Sequence, residues 1–129
     1  GLNLLLDTHC FVWWDSNRSK LSRSAFSALQ DENNSLFVSN ASIWEIQIKS
    51  QLGRLRLDYP LDEMVSSQTG ENAIQILQIA TNHILHLNNL PFHHKDPFDR
   101  LLAAQALIET LTLVSIDDAF EAYGVMRLW

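Results

Sequence analysis

Apolar residues fall into two kinds of run along this chain, and the two kinds alternate. Short, largely uninterrupted runs occur at Leu2–Leu6, Leu36–Val38, within Ala73–Ile79, at Leu111–Val114 and at Met126–Trp129. They lack the every-second-residue polarity of a half-exposed strand. They therefore read as strands covered on both faces, as in a parallel sheet. Between them the spacing is helical. Ala25, Phe26 and Leu29 mark a helix within Ser22–Glu32. Asn40–Leu52 predicts a longer one, with Ala41, Trp44, Ile48 and Leu52 as its packed stripe and Gly53 as its stop. Leu61–Thr69 ends before Gly70, and Thr81–Leu87 is short. Asp96 followed by Pro97 is a strong helix start, and that helix should run to about Thr110. Asn88–Lys95 reads as a polar loop rich in histidine. Strands alternating with helices imply an α/β fold: a mostly parallel sheet between helical layers, joined by right-handed crossovers. No repeat, low-complexity stretch or linker interrupts it, so residues 1–129 read as a single domain.

Composition adds limits. Apolar residues make up 47% and charged residues 19%, a balance that suits a compact soluble fold rather than disorder. The single cysteine, Cys10, excludes an intrachain disulfide, sits among apolar neighbours and reads as a buried hydrophobe. The cytoplasm is the expected compartment. No apolar run approaches the ~18 residues of a spanning helix. No basic segment leads into an apolar one at the start of the chain, so no signal peptide and no membrane association are expected. The formal net charge of −6 counts against nucleic-acid binding, which calls for a basic footprint. That objection is met if the acids converge on a cation.

Several acids are placed to do so. Ligands of open α/β sheets collect beyond the carboxyl ends of the strands. Asp7 directly follows the first strand, Ser39 ends the second, and Asp117 follows the fourth by three residues. Glu45 lies mid-helix at the edge of the predicted packed stripe, where a carboxylate is costly to desolvate unless something pairs with it. Asp99 precedes Leu102, Ala103 and Ala106, small or apolar residues that suit contact with a sheet. Such a cluster suits Mg²⁺ or Mn²⁺, hard cations that prefer carboxylate oxygens. Bland readings stand beside this one. Asp7, Asp96 and Asp117 can each cap a helix, Asp99 can be the acid of a capping box, and only Glu45 escapes that account. His93, His94 and Lys95, with Arg100, could contact phosphate or be solvated loop groups. Zinc is disfavoured by the lack of cysteine partners and by the adjacent histidine pair. The four tryptophans (Trp13, Trp14, Trp44, Trp129) suit core or interface better than base stacking.

The segments LLLDTH, VSNASIWEIQIKSQLGRL, LPFHHKDPFDRLLAAQA and LVSIDDAFEAYGV resemble, in order and spacing, the VapC-like toxins of the PIN-domain family. The resemblance implies a three-layer α/β/α sandwich with an acidic pocket. The four acids of that pocket fall on Asp7, Glu45, Asp99 and Asp117. It further implies an Mg²⁺- or Mn²⁺-dependent endoribonuclease in which Asp7, Asp99 and Asp117, with Glu45 directly or through water, hold the cation. Ser115 would hold Asp7 in place, with Thr8 as a neighbouring support, and Asp96 would assist or only cap. Lys49, His93, His94, Lys95 and Arg100 are the weaker candidates for contact with RNA. The implied partners are an RNA substrate, a cognate antitoxin and a second copy of the chain. Adjacent helical side chains point ~100° apart, so Trp13 and Trp14 cannot both face the sheet, and one is expected at an interface.

Two other readings compete. An aspartate-based phosphotransfer domain needs a lysine late in the fold, and none follows Lys95. A non-catalytic module using the same scaffold to bind RNA or protein is the stronger alternative, weakened by the complete acid set.

Overall fold

The computed structural model describes residues 1–129. Five strands form one sheet: β1 (Asn3–Leu6), β2 (Ser35–Ser39), β3 (Gln75–Leu77), β4 (Thr112–Val114) and β5 (Arg127–Leu128). Every pairing is parallel, and the strand order is β3-β2-β1-β4-β5. Six helices connect them: α1 (Thr8–Ser16), α2 (Arg23–Gln30), α3 (Asn40–Gln51), α4 (Leu61–Gly70), α5 (Thr81–His86) and α6 (Pro97–Glu109). Three 3-10 turns, at Arg18–Lys20, Leu87–Asn89 and Asp118–Tyr123, complete the chain. The sequence placed the strands correctly to within one or two residues at most ends.

β1 lies at the centre of the sheet, and this explains its lack of alternation. Leu4, Leu5 and Leu6 are all fully buried. Leu4 and Leu6 face a core with Phe11, Trp14, Ala25, Leu29, Ile46 and Met64. Leu5 faces the other, with Leu102, Ala103, Ala106, Leu113 and Phe120. Each such leucine contributes roughly 1.5–3 kcal/mol by leaving water. Thus α1, α2 and α4 cover one face and α6 covers the other, giving three layers. The division follows from crossover handedness. The chain steps outward from β1 to β2 to β3 and then returns past β1 to β4. A right-handed crossover puts its helices on opposite faces for opposite directions of travel. The reversal leaves a crevice at the carboxyl ends of β1 and β4.

One helix differs from its sequence reading. The buried residues of α3 are Ala41, Ser42, Glu45 and Ile46, whereas Trp44 and Leu52 are about 60% exposed (59% and 61%). The apolar stripe read from the wheel is thus not the buried one. Glu45 lies within the packed face rather than at its edge. Trp44 instead meets Phe98 of α6 edge-on, with ring centroids 5.3 Å apart. Gly70 is the last residue of α4 rather than its stop, and Ala73 makes the left-handed turn that follows, at φ 54°.

Candidate active site

Four short stretches meet near the crevice. Asp7 directly follows β1, and its amide donates to Val114 O at 3.1 Å, which fixes it against the end of β4. Its Oδ1 accepts from the Cys10 amide at 2.8 Å, so Asp7 is the N-cap of α1. The capping role is therefore real, but it engages only one carboxylate oxygen. Burial, followed by the adjacent Asp7 charge, pushes the Cys10 thiol far up, and the thiol is an inert core group.

Glu45 is 5% exposed and has both oxygens engaged. Thr8 Oγ1 donates to Oε1 at 2.6 Å, and Lys49 Nζ lies 2.5 Å from Oε2. Ser42 Oγ sits 3.0 Å from the Thr8 hydroxyl. Thr8 is thus a support, but for Glu45, the acid reached across from α3. The polar positions Ser42, Glu45 and Lys49 fall at i, i+3 and i+7 on one helical face. That spacing is the signal by which Ser42, absent from the sequence candidates, could have been found.

Asp96 caps α6, accepting from the amides of Phe98 at 2.7 Å and Asp99 at 3.4 Å. One turn on, the Asp99 carboxylate accepts no hydrogen bond. Burial pushes it up to about 6, and the charges of Asp96, Glu45 and Asp117 push the same way while His94 opposes them. Glu45, Asp96 and Asp117 thus lie close enough to Asp99 for their charges to act on it.

Asp117 follows β4. Its Oδ1 accepts from the Ala119 amide at 3.0 Å, and its Oδ2 lies 2.7 Å from His94 Nε2. Burial pushes this carboxyl up, but the His94 and Ala119 hydrogen bonds and the charges of His94 and Arg127 together outweigh it and hold it below the ordinary value. His94 is bridged on its other side, with Nδ1 2.9 Å from the Tyr123 hydroxyl, and it stacks on Tyr123 and tilts against Phe120. A carboxylate can only accept, so Nε2 carries a proton toward Asp117. No local pattern signals this link, because 23 residues separate its partners.

Two expectations are corrected. Ser115 is fully buried, but its hydroxyl accepts from the Asp117 amide at 3.1 Å and makes no hydrogen bond to Asp7. It shapes the turn after β4, and Asp7 is held by its own cap instead. Arg100 is not a free cation: it is 7% exposed and donates to Pro91 O at 2.9 Å and Leu87 O at 3.0 Å. It ties down the histidine loop. Of Trp13 and Trp14, Trp14 is buried, while Trp13 stays partly exposed beside Trp129, with ring centroids 6.1 Å apart, and is the one of the two left at the surface. His93 packs edge-on against Tyr123, and both His93 and Lys95 lie exposed on the loop.

The donor set fits a hard divalent cation. It is all oxygen, and Asp99 retains an unneutralised charge that a cation would relieve. No three histidine, cysteine or acidic side chains stand close enough to form a finished cage, and Lys49 and His94 engage Glu45 and Asp117.

A parallel α/β sheet that gathers acids where its strand order reverses defines an acid-pocket α/β protein. The chain belongs to the PIN domain family, whose pattern matches residues 4–125. Its fold is similar to that in the crystal structure of VapBC2 from Rickettsia felis bound to a promoter DNA fragment. That match has a TM-score of 0.73 and 16% identity, and covers 98% of this chain and 97% of that one. It is also similar to DNA-bound VapBC from Salmonella typhimurium (TM-score 0.65, 17% identity, 98% and 97% covered). A third likeness is to FitAcB from Neisseria gonorrhoeae (TM-score 0.63, 17% identity, 96% and 95% covered). No curated protein sequence matches the chain. No helix is long and apolar enough to cross a membrane.

Proposed function

We propose that this protein is an Mg²⁺- or Mn²⁺-dependent endoribonuclease and the toxin of a toxin–antitoxin pair. The observation that carries the nuclease reading is Asp99, a carboxylate with no hydrogen bond in the field of three other acids at the switch point of the sheet. Asp7, Asp99 and Asp117, with Glu45 directly or through water, would hold the cation. When bound, it supplies water activation and stabilises charge on a phosphoryl group in flight. The chain's own residues supply placement. Thr8 and Lys49 fix Glu45, and His94 and the Ala119 amide fix Asp117. The free Asp99 oxygen is the acceptor left to orient an attacking water. In-line attack on a phosphodiester would leave a 5′ phosphate and a 3′ hydroxyl.

The toxin assignment is supported by the VapC-like sequence segments and by similarity to the VapBC and FitAcB structures. The antitoxin would set an Arg or Lys into the acid pocket, satisfying the same carboxylates by charge-assisted bonds. Both partners would meet in the cytoplasm. The decisive experiment is cleavage of single-stranded RNA with Mg²⁺ or Mn²⁺, against chelator and against Asp99→Asn. Cleavage that survives either control refutes the proposal.

A binding module on the same scaffold is favoured by one observation: two of the four acids already have partners within the chain. RNA binding without metal-dependent turnover would establish it.

A further inference from the structure

Next to the acid cluster lies a cavity of about 220 Å³, lined by Thr8, His9, Val12, Trp13, Lys49, Arg54 and Leu55. No acidic residue lines it, in a protein whose net charge is −6. Its wall toward the site is Thr8 and Lys49, the two residues that hold Glu45. Adjoining Lys49, a turn supplies more of the lining. Gly53, at φ 71°, lets the chain double back after α3, and the amides of Arg54 and Leu55 both donate to Lys49 O, at 2.9 and 3.2 Å. That turn sets Arg54 beside Lys49, and Arg54 forms no ion pair of its own. The third wall is aromatic. His9 and Trp13, one helical turn apart on α1, stack at 5.6 Å with their planes 29° apart, and Lys20 Nζ lies 5.8 Å from the Trp13 ring.

We propose that this cavity seats one nucleotide of the single-stranded RNA substrate next to the cleaved bond. The base lies against the His9–Trp13 stack and its phosphate against Arg54 and Lys49. This rests on the nuclease reading and adds to it where the substrate enters. An aromatic face beside cations is the usual means of holding a single strand without reading its sequence. Placing basic groups at the edge of the acid cluster, Lys49 bridging to Glu45 and Arg54 beyond it, also resolves the charge problem. RNA is drawn to the basic wall, and only the bond to be cut is brought to the carboxylates.

The test uses the Asp99→Asn protein, without divalent ions, and a fluorescein-labelled single-stranded oligoribonucleotide followed by anisotropy. Against that background, Trp13→Ala should weaken binding about tenfold, the scale of one stacked base. Arg54→Gln should weaken it and flatten the log–log salt dependence by about 0.7, the loss of one phosphate contact to a single strand. Arg23→Gln, a charge removed outside the cavity, should leave the slope unchanged. Arg54 is exposed, so its variant stays folded even if Trp13→Ala does not. Unchanged binding in Arg54→Gln, or slopes altered equally by Arg23→Gln, overturns the proposal. So does saturable binding of a poly-glutamate peptide, but not of RNA, at this wall. If the wild type cuts RNA but these variants bind normally, the subsite fails and the nuclease stands. If they lose binding while the wild type never cuts, the subsite stands and the nuclease fails.

Discussion

Asp7 divides its functions between two oxygens, and its variants should separate them. Asn retains the acceptor that caps α1, so Asp7→Asn should melt close to wild type. Cleavage should fall on the order of a hundredfold or more, as when one charge-stabilising group is lost from a site. Asp7→Ala loses the cap as well and should cost about 1 kcal/mol of stability. A melting curve and a cleavage time course on both variants check this, and an Asn variant that unfolds or cuts normally contradicts it. Asp99 makes a prediction about pH. Its carboxyl is raised from 3.8 to about 6 in the folded protein, so folding favours its protonated form. That contribution is complete below the ordinary value of 3.8 and is lost as the pH rises through about 6. Without divalent ions, Asp99→Asn should therefore gain melting temperature over wild type progressively across that window. A constant difference at every pH would mean the Asp99 charge is not strained. Added Mg²⁺ or Mn²⁺ should raise the wild-type melting temperature, by an amount equivalent to about 2.7 kcal/mol at a hundred times the dissociation constant. Glu45→Ala, Asp99→Ala and Asp117→Ala should each shrink that gain.

Among the elements, α6 shows how far sequence can be read. Its start was legible because Asp96 and Pro97 act locally, through one side-chain acceptor and one fixed φ. Its buried face was legible because Leu102, Ala103 and Ala106 keep helical spacing. The end of α6 carries a strain that spacing does not show. Thr110 is exposed and left-handed at φ 55°, a conformation that a β-branched residue adopts at a cost. Thr110→Gly should stabilise the protein by about 0.5–1 kcal/mol, measured by chemical denaturation, and a loss would show that the threonine side chain compensates. Arg100 was misjudged for the opposite reason. A cation in a histidine-rich segment suggests phosphate, but its guanidinium satisfies loop carbonyls that no sequence pattern reveals. The stripe on α3 failed similarly. Its buried side is half polar because it faces the site, so counting apolar residues pointed to Trp44 on the wrong side.

At the scale of the molecule, strand order was beyond the sequence. The alternation fixed a parallel sheet, but the return of β4 to the far side of β1 depends on contacts more than a hundred residues apart. Trp44 is 59% exposed and meets Phe98 edge-on, and that pair is proposed as an aromatic surface for a second copy of the chain. Light scattering at micromolar concentration should report a dimer that Trp44→Asp converts to monomer, and a monomeric wild type would remove that role. The central position of β1 has a further consequence for how the protein is made. β1 finds one of its two neighbours only when Thr112–Val114 arrive, and Asp117 follows them. A chain truncated at Thr110 should therefore show no cooperative melt. On the ribosome, the four acids remain scattered until the segment carrying Asp117 has been made. Under the proposed nuclease reading, an inhibitor already present when β4 arrives would meet the pocket as it forms.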